Sequence, residues 1–219
     1  MAGTGNIAVS GLDEIFAKAG VTPPSPKAEP QFVLPANKFL VAKKALKRPG
    51  IKRFIKPENA RTVLDHLPGP GEHTHCLLRG DFILGDLIPL MMAGHHCQHL
   101  RIATLGLSVH NAETLANLRE TGLVDQITLL TSLYFREVNK DETFKTVMER
   151  LAGHAKLVVA RSHVKIILIP TATAAWVMES SANLRSSDNL ELMTIFNDQE
   201  IHNWHAAWIN ELAARKEHE

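Results

Sequence analysis

Five polar side chains in one stretch of the sequence, between positions 161 and 191, have the types that chemistry on a phosphate requires. They are one histidine, one lysine, one serine, one asparagine and one glutamate: His163, Lys165, Ser181, Asn183 and Glu191. A neutral imidazole can attack phosphorus and form a covalent intermediate, which replaces one difficult displacement by two easier ones. An ammonium, an amide and a hydroxyl group can hold the non-bridging oxygens. The stretch therefore predicts a site that binds and attacks a phosphodiester.

The spacing of these residues suits positions at the ends of neighbouring strands. His163 and Lys165 stand two residues apart before the apolar run IILI, so on a strand both side chains leave the same face. Ser181 and Asn183 repeat this spacing after a strand return, and Glu191 is the carboxylate available to fix the histidine tautomer. Ordinary surface residues at strand ends are the alternative. The set needs no metal, and no acidic cluster suited to magnesium accompanies it, so we expect no cofactor.

The elements that would position these residues begin as an alternation of strands and helices. Apolar runs predict strands at 75–78, 100–105 and 124–134, and helical periodicity predicts helices at 81–92, 111–121 and 141–151. Further strands at 157–160, 164–169 and 175–178 follow without room for helices between them. Another strand is predicted at 190–196, and Asp198 caps a final helix. This order predicts an α/β fold with a mixed, largely parallel sheet flanked by helices on both faces.

The candidate residues resemble the HxK(x)4D…GSxN signature of the phospholipase D superfamily. His163-Val164-Lys165 is similar to HxK, Ser180-Ser181-Ala182-Asn183 to GSxN, and Glu191 to the downstream glutamate. The resemblance runs from about residue 74 to the C-terminus and implies a phospholipase D-like fold. Members use the histidine as nucleophile and build one site from two motifs. A chain with a single motif, like the small bacterial nucleases of the family, forms the site across a homodimer, with the second histidine as general acid.

Two positions depart from that signature. Pro170 stands where the motif has aspartate, and Ser180 stands where it has glycine. A second HxK pair, His154 and Lys156, has no GSxN at a suitable distance and is interpreted as surface residues. The resemblance implies a metal-independent nuclease that acts through a phosphohistidine. The alternatives are a phospholipase D-like protein that binds nucleic acid with little or no catalysis, and a lipid phosphodiesterase.

Charge is distributed unevenly along the chain. The net charge is +1, yet residues 38–56 carry eight basic residues and no acidic one, which leaves 16 basic against 23 acidic residues elsewhere. A localised basic segment on a mildly acidic body favours a nucleic-acid partner, DNA before RNA, over a lipid. A solvated basic surface is the alternative. The residues predicted to bind nucleic acid are Lys43, Lys44, Lys47, Arg48, Lys52 and Arg53.

Composition also divides the chain and limits its class. We expect a flexible proline-containing leader at 1–36, the basic segment and a connector at 37–72, and the α/β domain at 73–219. The two cysteines do not make a disulfide framework, and the N-terminus lacks the pattern of a signal peptide. The longest apolar run is too short to span a bilayer. We therefore expect a cytoplasmic protein without a membrane partner.

Histidine and cysteine residues form two groups that could hold zinc: His73, His75 and Cys76, and His95, His96, Cys97 and His99. Neither group has the paired-ligand spacing of a zinc finger. His75 and Cys76 also fall on a predicted inner strand. Ordinary strand and loop residues are the simpler interpretation, so no metal site is predicted.

Overall fold

A computed structural model of the protein describes residues 50–55, 67–79, 84–92, 94–138, 142–185 and 189–215. The strands are β1 (Gly50–Ile55), β2 (His73–Arg79), β3 (Cys97–Thr104), β4 (Val124–Ser132), β5 (Lys156–Ala160), β6 (Ile166–Pro170), β7 (Ala175–Ser180) and β8 (Leu190–Asn197). The α-helices are α1 (Leu87–Met91), α2 (Val109–Glu120), α3 (Leu133–Val138), α4 (Thr143–Leu151) and α5 (Gln199–Arg215). A single 3-10 turn, Leu84–Asp86, precedes α1.

In these ranges the strands pair into one sheet in the order β1-β2-β8-β7-β6-β3-β4-β5. Three neighbouring pairs are parallel: β1 with β2, β3 with β4, and β4 with β5. The other four pairs are antiparallel. The mixed α/β class is confirmed, but antiparallel pairs outnumber parallel ones. Two of the antiparallel pairs follow from the short connections between β6 and β7 and between β7 and β8, because a parallel pair needs a crossover of a dozen or more residues.

Alternate residues of β6 build two apolar layers. Ile167 packs in the larger core with residues of α1, α2 and α4, whereas Ile166 and Leu168 pack on the opposite face against Ala206 and Ile209 of α5. Each fully buried side chain of this kind contributes about 1.5–3 kcal/mol relative to exposure. The prediction of helices on both faces is therefore confirmed.

The long C-terminal helix α5 is fixed at its start and along its buried side. Asp198 Oδ1 accepts hydrogen bonds from the backbone N–H groups of Glu200 (2.9 Å) and Ile201 (3.2 Å), which confirms the predicted cap. Trp208 Nε1 donates to His205 Nδ1 at 3.0 Å, so the other imidazole nitrogen of His205 is the donor to Glu179 Oε1, 3.0 Å away. In the described part of the chain, no helix is long and apolar enough to cross a membrane.

Three local predictions differ from the structure. The helix expected at 81–92 is a 3-10 turn followed by the short α1, which contains Pro89, and positions 81–83 lie outside the described residues. The strand expected at 124–134 ends at Ser132, where the chain turns into α3. The edge strand β1 was not predicted. It comes from the basic segment, where the adjacent charges of Lys52 and Arg53 resemble a solvated surface more than a strand.

Candidate active site

The predicted site residues lie at one edge of the sheet, namely the edge formed by the ends of the strands and not by an outer strand. His163 and Lys165 precede β6, Ser181 and Asn183 follow β7, and Glu191 is the second residue of β8. Because β6 and β7 form an antiparallel hairpin, the start of one lies beside the end of the other. The Ser180 N–H donates to the Lys165 carbonyl at 3.1 Å, so both half-motifs stand at the open end of this hairpin.

Lys165 and His163 are in direct contact. Lys165 Nζ lies 2.9 Å from His163 Nδ1 and donates to the His163 carbonyl, also at 2.9 Å. Lys165 is only 9% exposed. Burial lowers the pKa of its ammonium, while the negative charge of Glu191 acts in the opposite direction. The lysine is thus a partly desolvated donor beside the candidate nucleophile.

Ser181 and Glu191 form the second contact of the site. The Ser181 hydroxyl donates to Glu191 Oε2 and accepts from the Leu192 N–H at 2.9 Å. The direction of the hydroxyl proton is therefore fixed, because a backbone N–H can only donate. Ser181 orients Glu191, and Glu191 in turn balances the charge of Lys165. His163, Lys165, Glu191 and Ser181 are linked in this way into one polar group.

Asn183 is positioned by the loop that follows β3. Its Oδ1 accepts from the Leu105 N–H at 3.1 Å, so its NH₂ group is the end that can donate to a phosphate. The next carbonyl, of Leu184, accepts from the Ser108 N–H at 2.9 Å and from Asn111 Nδ2 at 2.7 Å. Asn111 is a supporting residue that was not predicted. Its signal is the position three residues after Ser108, the N-cap of α2.

Both departures from the resembled signature are accommodated by the fold. The Ser180 hydroxyl donates to the Leu192 carbonyl (2.9 Å) and accepts from the Ala182 N–H (3.0 Å), so the serine is hydrogen-bonded at the glycine position. Pro170 pairs with Ala175 at the closed end of the hairpin. It stands five residues after Lys165, which is roughly 16 Å along an extended strand. The aspartate position therefore lies far from the candidate nucleophile.

The second HxK pair lies at the opposite edge of the sheet. Lys156 begins β5, which runs parallel to β4, so it lies at the edge where the parallel strands start. His154 Nε2 lies 3.5 Å from Glu120 Oε1, at the end of α2. This pair is separated from the site by the length of the strands, in agreement with its interpretation as surface residues.

The fold does not gather the histidine and cysteine residues into one site, although the rings of His73 and His75 contact each other edge-on, with centroids 4.8 Å apart. On β2, His75 Nδ1 lies 2.9 Å from Thr194 Oγ1, whereas its neighbour Cys76 is buried in the larger core. The second group is divided among separate partners: His95 stacks edge-on against Trp176, His96 pairs with Asp125, and His99 contacts Thr128. Burial raises the pKa of the Cys97 thiol to about 11. Across the described ranges, no three His, Cys, Asp or Glu side chains are grouped to hold a metal ion.

The basic segment reaches the sheet through β1, which contains Lys52 and Arg53. The backbone of Ile55, at the end of β1, is in register with Leu78 of β2, and Leu78 is in register with Glu191. The end of β1 therefore lies two strands, or about 10 Å, from Glu191, whereas His163 and Lys165 precede β6, two strands further along the sheet. The other predicted nucleic-acid-binding residues, Lys43, Lys44, Lys47 and Arg48, lie outside the described residues, as does the leader at 1–36.

Comparison with known proteins adds to this geometry. No protein-family model matches the chain, and no curated sequence is significantly similar to it. Among solved structures, the phospholipase D family member Nuc from Salmonella typhimurium is 15% identical with a TM-score of 0.48, over 64% of this chain and 94% of that one. The chain is thus similar to a solved member of the phospholipase D family.

Two further solved structures are similar to the chain. NucT from Helicobacter pylori is 14% identical with a TM-score of 0.45, over 64% of this chain and 96% of that one. TrmBL2, described as an archaeal chromatin protein with a novel mode of DNA binding, is 14% identical with a TM-score of 0.43, over 63% of this chain and 51% of that one. At these identities the similarity concerns the course of the chain, and the chemistry must be argued from the site.

Proposed function

We propose that the protein is a metal-independent phosphodiesterase that cleaves nucleic acid through a phosphohistidine intermediate on His163. The observation that carries this proposal is the contact between Lys165 Nζ and His163 Nδ1, 2.9 Å long, at the edge that also presents Asn183. A nucleophilic imidazole, a buried ammonium and an oriented amide donor are the groups that phosphoryl transfer requires.

The first chemical step follows from these contacts. When a phosphate enters the site, the Lys165 ammonium donates its hydrogen bond to one non-bridging oxygen. The imidazole of His163 then no longer accepts from the lysine and is free to react. The NH₂ group of Asn183 donates to the other oxygen, because its Oδ1 is held by Leu105. The unprotonated imidazole nitrogen attacks phosphorus, a P–N bond forms, and the P–O bond to the leaving group breaks. The leaving oxygen needs a proton from a general acid.

A second copy of the chain supplies that acid in our proposal. His163 of the second copy protonates the leaving oxygen, then removes a proton from water, whose oxygen attacks phosphorus and breaks the P–N bond. Two leucines that flank Glu191 on β8, Leu190 and Leu192, are 56% and 57% exposed. We propose that these two exposed leucines belong to the interface between the two copies. Sedimentation of the full chain as a monomer at assay concentrations would exclude this arrangement.

Nucleic acid is the proposed substrate because of where the basic segment enters the sheet. The register Ile55–Leu78–Glu191 leads from the strand that contains Lys52 and Arg53 to the site. In the sheet order, β6, which His163 precedes, lies four strand spacings or roughly 19 Å from β1, so a polyanion bound along β1 would have to continue across the sheet to reach His163. Counterion release from the basic residues would contribute to affinity. We propose DNA before RNA, and no membrane partner.

Cleavage of labelled DNA by the full chain in the presence of EDTA tests the proposal. His163→Gln should abolish cleavage while DNA binding survives, because glutamine keeps the polarity of the position without a nucleophilic nitrogen. His154→Gln is the matched control, since His154 belongs to the HxK pair at the opposite edge, and it should cleave like the wild type. Equal cleavage by wild type and His163→Gln would overturn the proposal. Binding without cleavage by the wild type would support a nucleic-acid-binding protein instead.

A further inference from the structure

An exposed aromatic ring lies at the same sheet edge as the candidate site. Strands β3 and β4 are parallel, with Thr104 in register with Thr131, so β4 ends beside the loop that holds Asn183. Tyr134 follows two residues after the end of β4, in the first turn of α3, and is 54% exposed. A tyrosine ring exposed to this extent lacks the stabilisation that burial would give it, and its face is available to a ligand.

The backbone of Tyr134 is connected to Asn183 by consecutive hydrogen bonds. The Leu105 N–H donates to Asn183 Oδ1 (3.1 Å), the Ser132 N–H donates to the Leu105 carbonyl (3.4 Å), and the Tyr134 N–H donates to Ser132 Oγ (2.9 Å). These contacts cross one strand spacing, about 5 Å, from the loop after β3 to β4, so the backbone of Tyr134 lies close to the loop that positions Asn183.

The start of α3 is held firmly in this place. Phe135 is buried and packs against Gly106, where an added Cβ would lie 2.7 Å from the Phe135 ring. The same ring packs edge-on against Phe144, with centroids 5.5 Å apart. Because its neighbour is buried between a tight loop and a second aromatic residue, Tyr134 is presented to solvent from a fixed backbone.

We propose that Tyr134 is a stacking platform for an unpaired base, and that the site consequently prefers single-stranded nucleic acid. This inference rests on the proposed function and specifies its substrate. Basic residues that follow the backbone, combined with aromatic rings under the bases, are the usual means of binding single strands. Here the basic strand β1 lies on one side of the site in the sheet order and Tyr134 on the other. A base inside a duplex is stacked on its neighbours and cannot offer its face to this ring.

The test is a binding measurement in the His163→Gln protein, which separates binding from cleavage. Fluorescence anisotropy should show that a labelled single-stranded oligonucleotide binds about tenfold more tightly than the duplex of the same sequence. Tyr134→Ala should remove this preference, and Tyr134→Phe should keep it because the ring face remains. The matched control is Leu123→Ala, at the opposite end of β4, where the side chain is 39% exposed; it should bind like the parent.

Equal binding of single strand and duplex would overturn the inference, and so would a Tyr134→Ala protein with the same preference as Leu123→Ala. Circular dichroism of each variant verifies that the change has not unfolded the domain. The two proposals fail separately. Loss of the strand preference leaves cleavage through His163 intact, whereas absence of binding to either form of DNA would count against the proposed function as well.

Discussion

Lys165 Nζ lies 2.9 Å from the imidazole nitrogen Nδ1 of His163 and at the same distance from the carbonyl oxygen of that residue. The two-residue spacing brings the proposed nucleophile and its neighbouring ammonium into contact. In the proposed mechanism, an entering phosphate offers this ammonium an anionic acceptor. Transfer of the hydrogen bond from the imidazole to the phosphate would then expose His163 only in the presence of substrate.

The pH dependence of cleavage should report the state of Lys165. Burial lowers the pKa of its ammonium, so phosphate binding should be lost as the pH rises through a value below the usual lysine range. The charge of Glu191 raises that pKa, and Glu191→Gln removes this opposing effect. The alkaline limb of kcat/KM should therefore move to lower pH in this variant. The control is Glu120→Gln, beside His154, whose alkaline limb should lie at the same pH as that of the wild type. If the limb of Glu191→Gln stayed at the wild-type pH or moved to higher pH, the assignment of this limb to Lys165 would be contradicted.

The orientation of the Asn183 amide predicts an unequal effect of two substitutions. Asn183→Asp keeps the acceptor for the Leu105 N–H but replaces the NH₂ group, the proposed donor to the phosphate, with a negative oxygen. Asn183→Ala removes the donor without adding charge. We expect kcat/KM to fall about a hundredfold for alanine, the typical effect of losing one oriented donor, and further for aspartate. If the aspartate variant cleaves as well as the alanine variant, the amide does not face the phosphate.

The packing of Gly85 against Asn111 can be measured by a double-mutant cycle. An added Cβ at Gly85 would lie 1.8 Å from Asn111 Oδ1, so Gly85→Ala must displace the amide that holds the Leu184 carbonyl. The free energy of unfolding should fall by about 1–3 kcal/mol. In the Asn111→Ala background the obstructing atom is gone, and the same substitution should cost much less. Urea denaturation of the four proteins gives the coupling; purely additive costs would show that the contact is unimportant.

The sequence predicted the elements that carry an unbroken apolar pattern. Strands β6, β7 and β8 and helix α5 were expected because their apolar runs are bounded by turn residues or by the Asp198 cap. The end of β4 was misjudged, since the residues after Ser132 have strand propensity of their own. Their helical conformation is imposed by Phe135, which is buried against Gly106. That contact joins distant parts of the chain and leaves no local signal.

The candidate site was predictable in its residue types but not in its orientations. The two-residue spacings of His163 with Lys165 and of Ser181 with Asn183 indicated strand ends that meet. The direction of the Ser181 proton and of the Asn183 amide depends on backbone N–H groups of Leu192 and Leu105. Those N–H groups reach their positions through strand pairing, and the order of side chains in the sequence does not specify which strands pair.

The hairpin formed by β6 and β7 carries the candidate site residues at its open end and the connecting turn at the other end. The turn contains Ala172 and Thr173, both exposed, and closes beside the Pro170–Ala175 pair. Because the length of a strand separates this turn from His163, additional residues inserted there would extend away from the phosphate. The turn is therefore a natural place to attach a fluorophore or an affinity label, through which a single molecule could be followed on the proposed nucleic-acid substrate while the site remains unaltered.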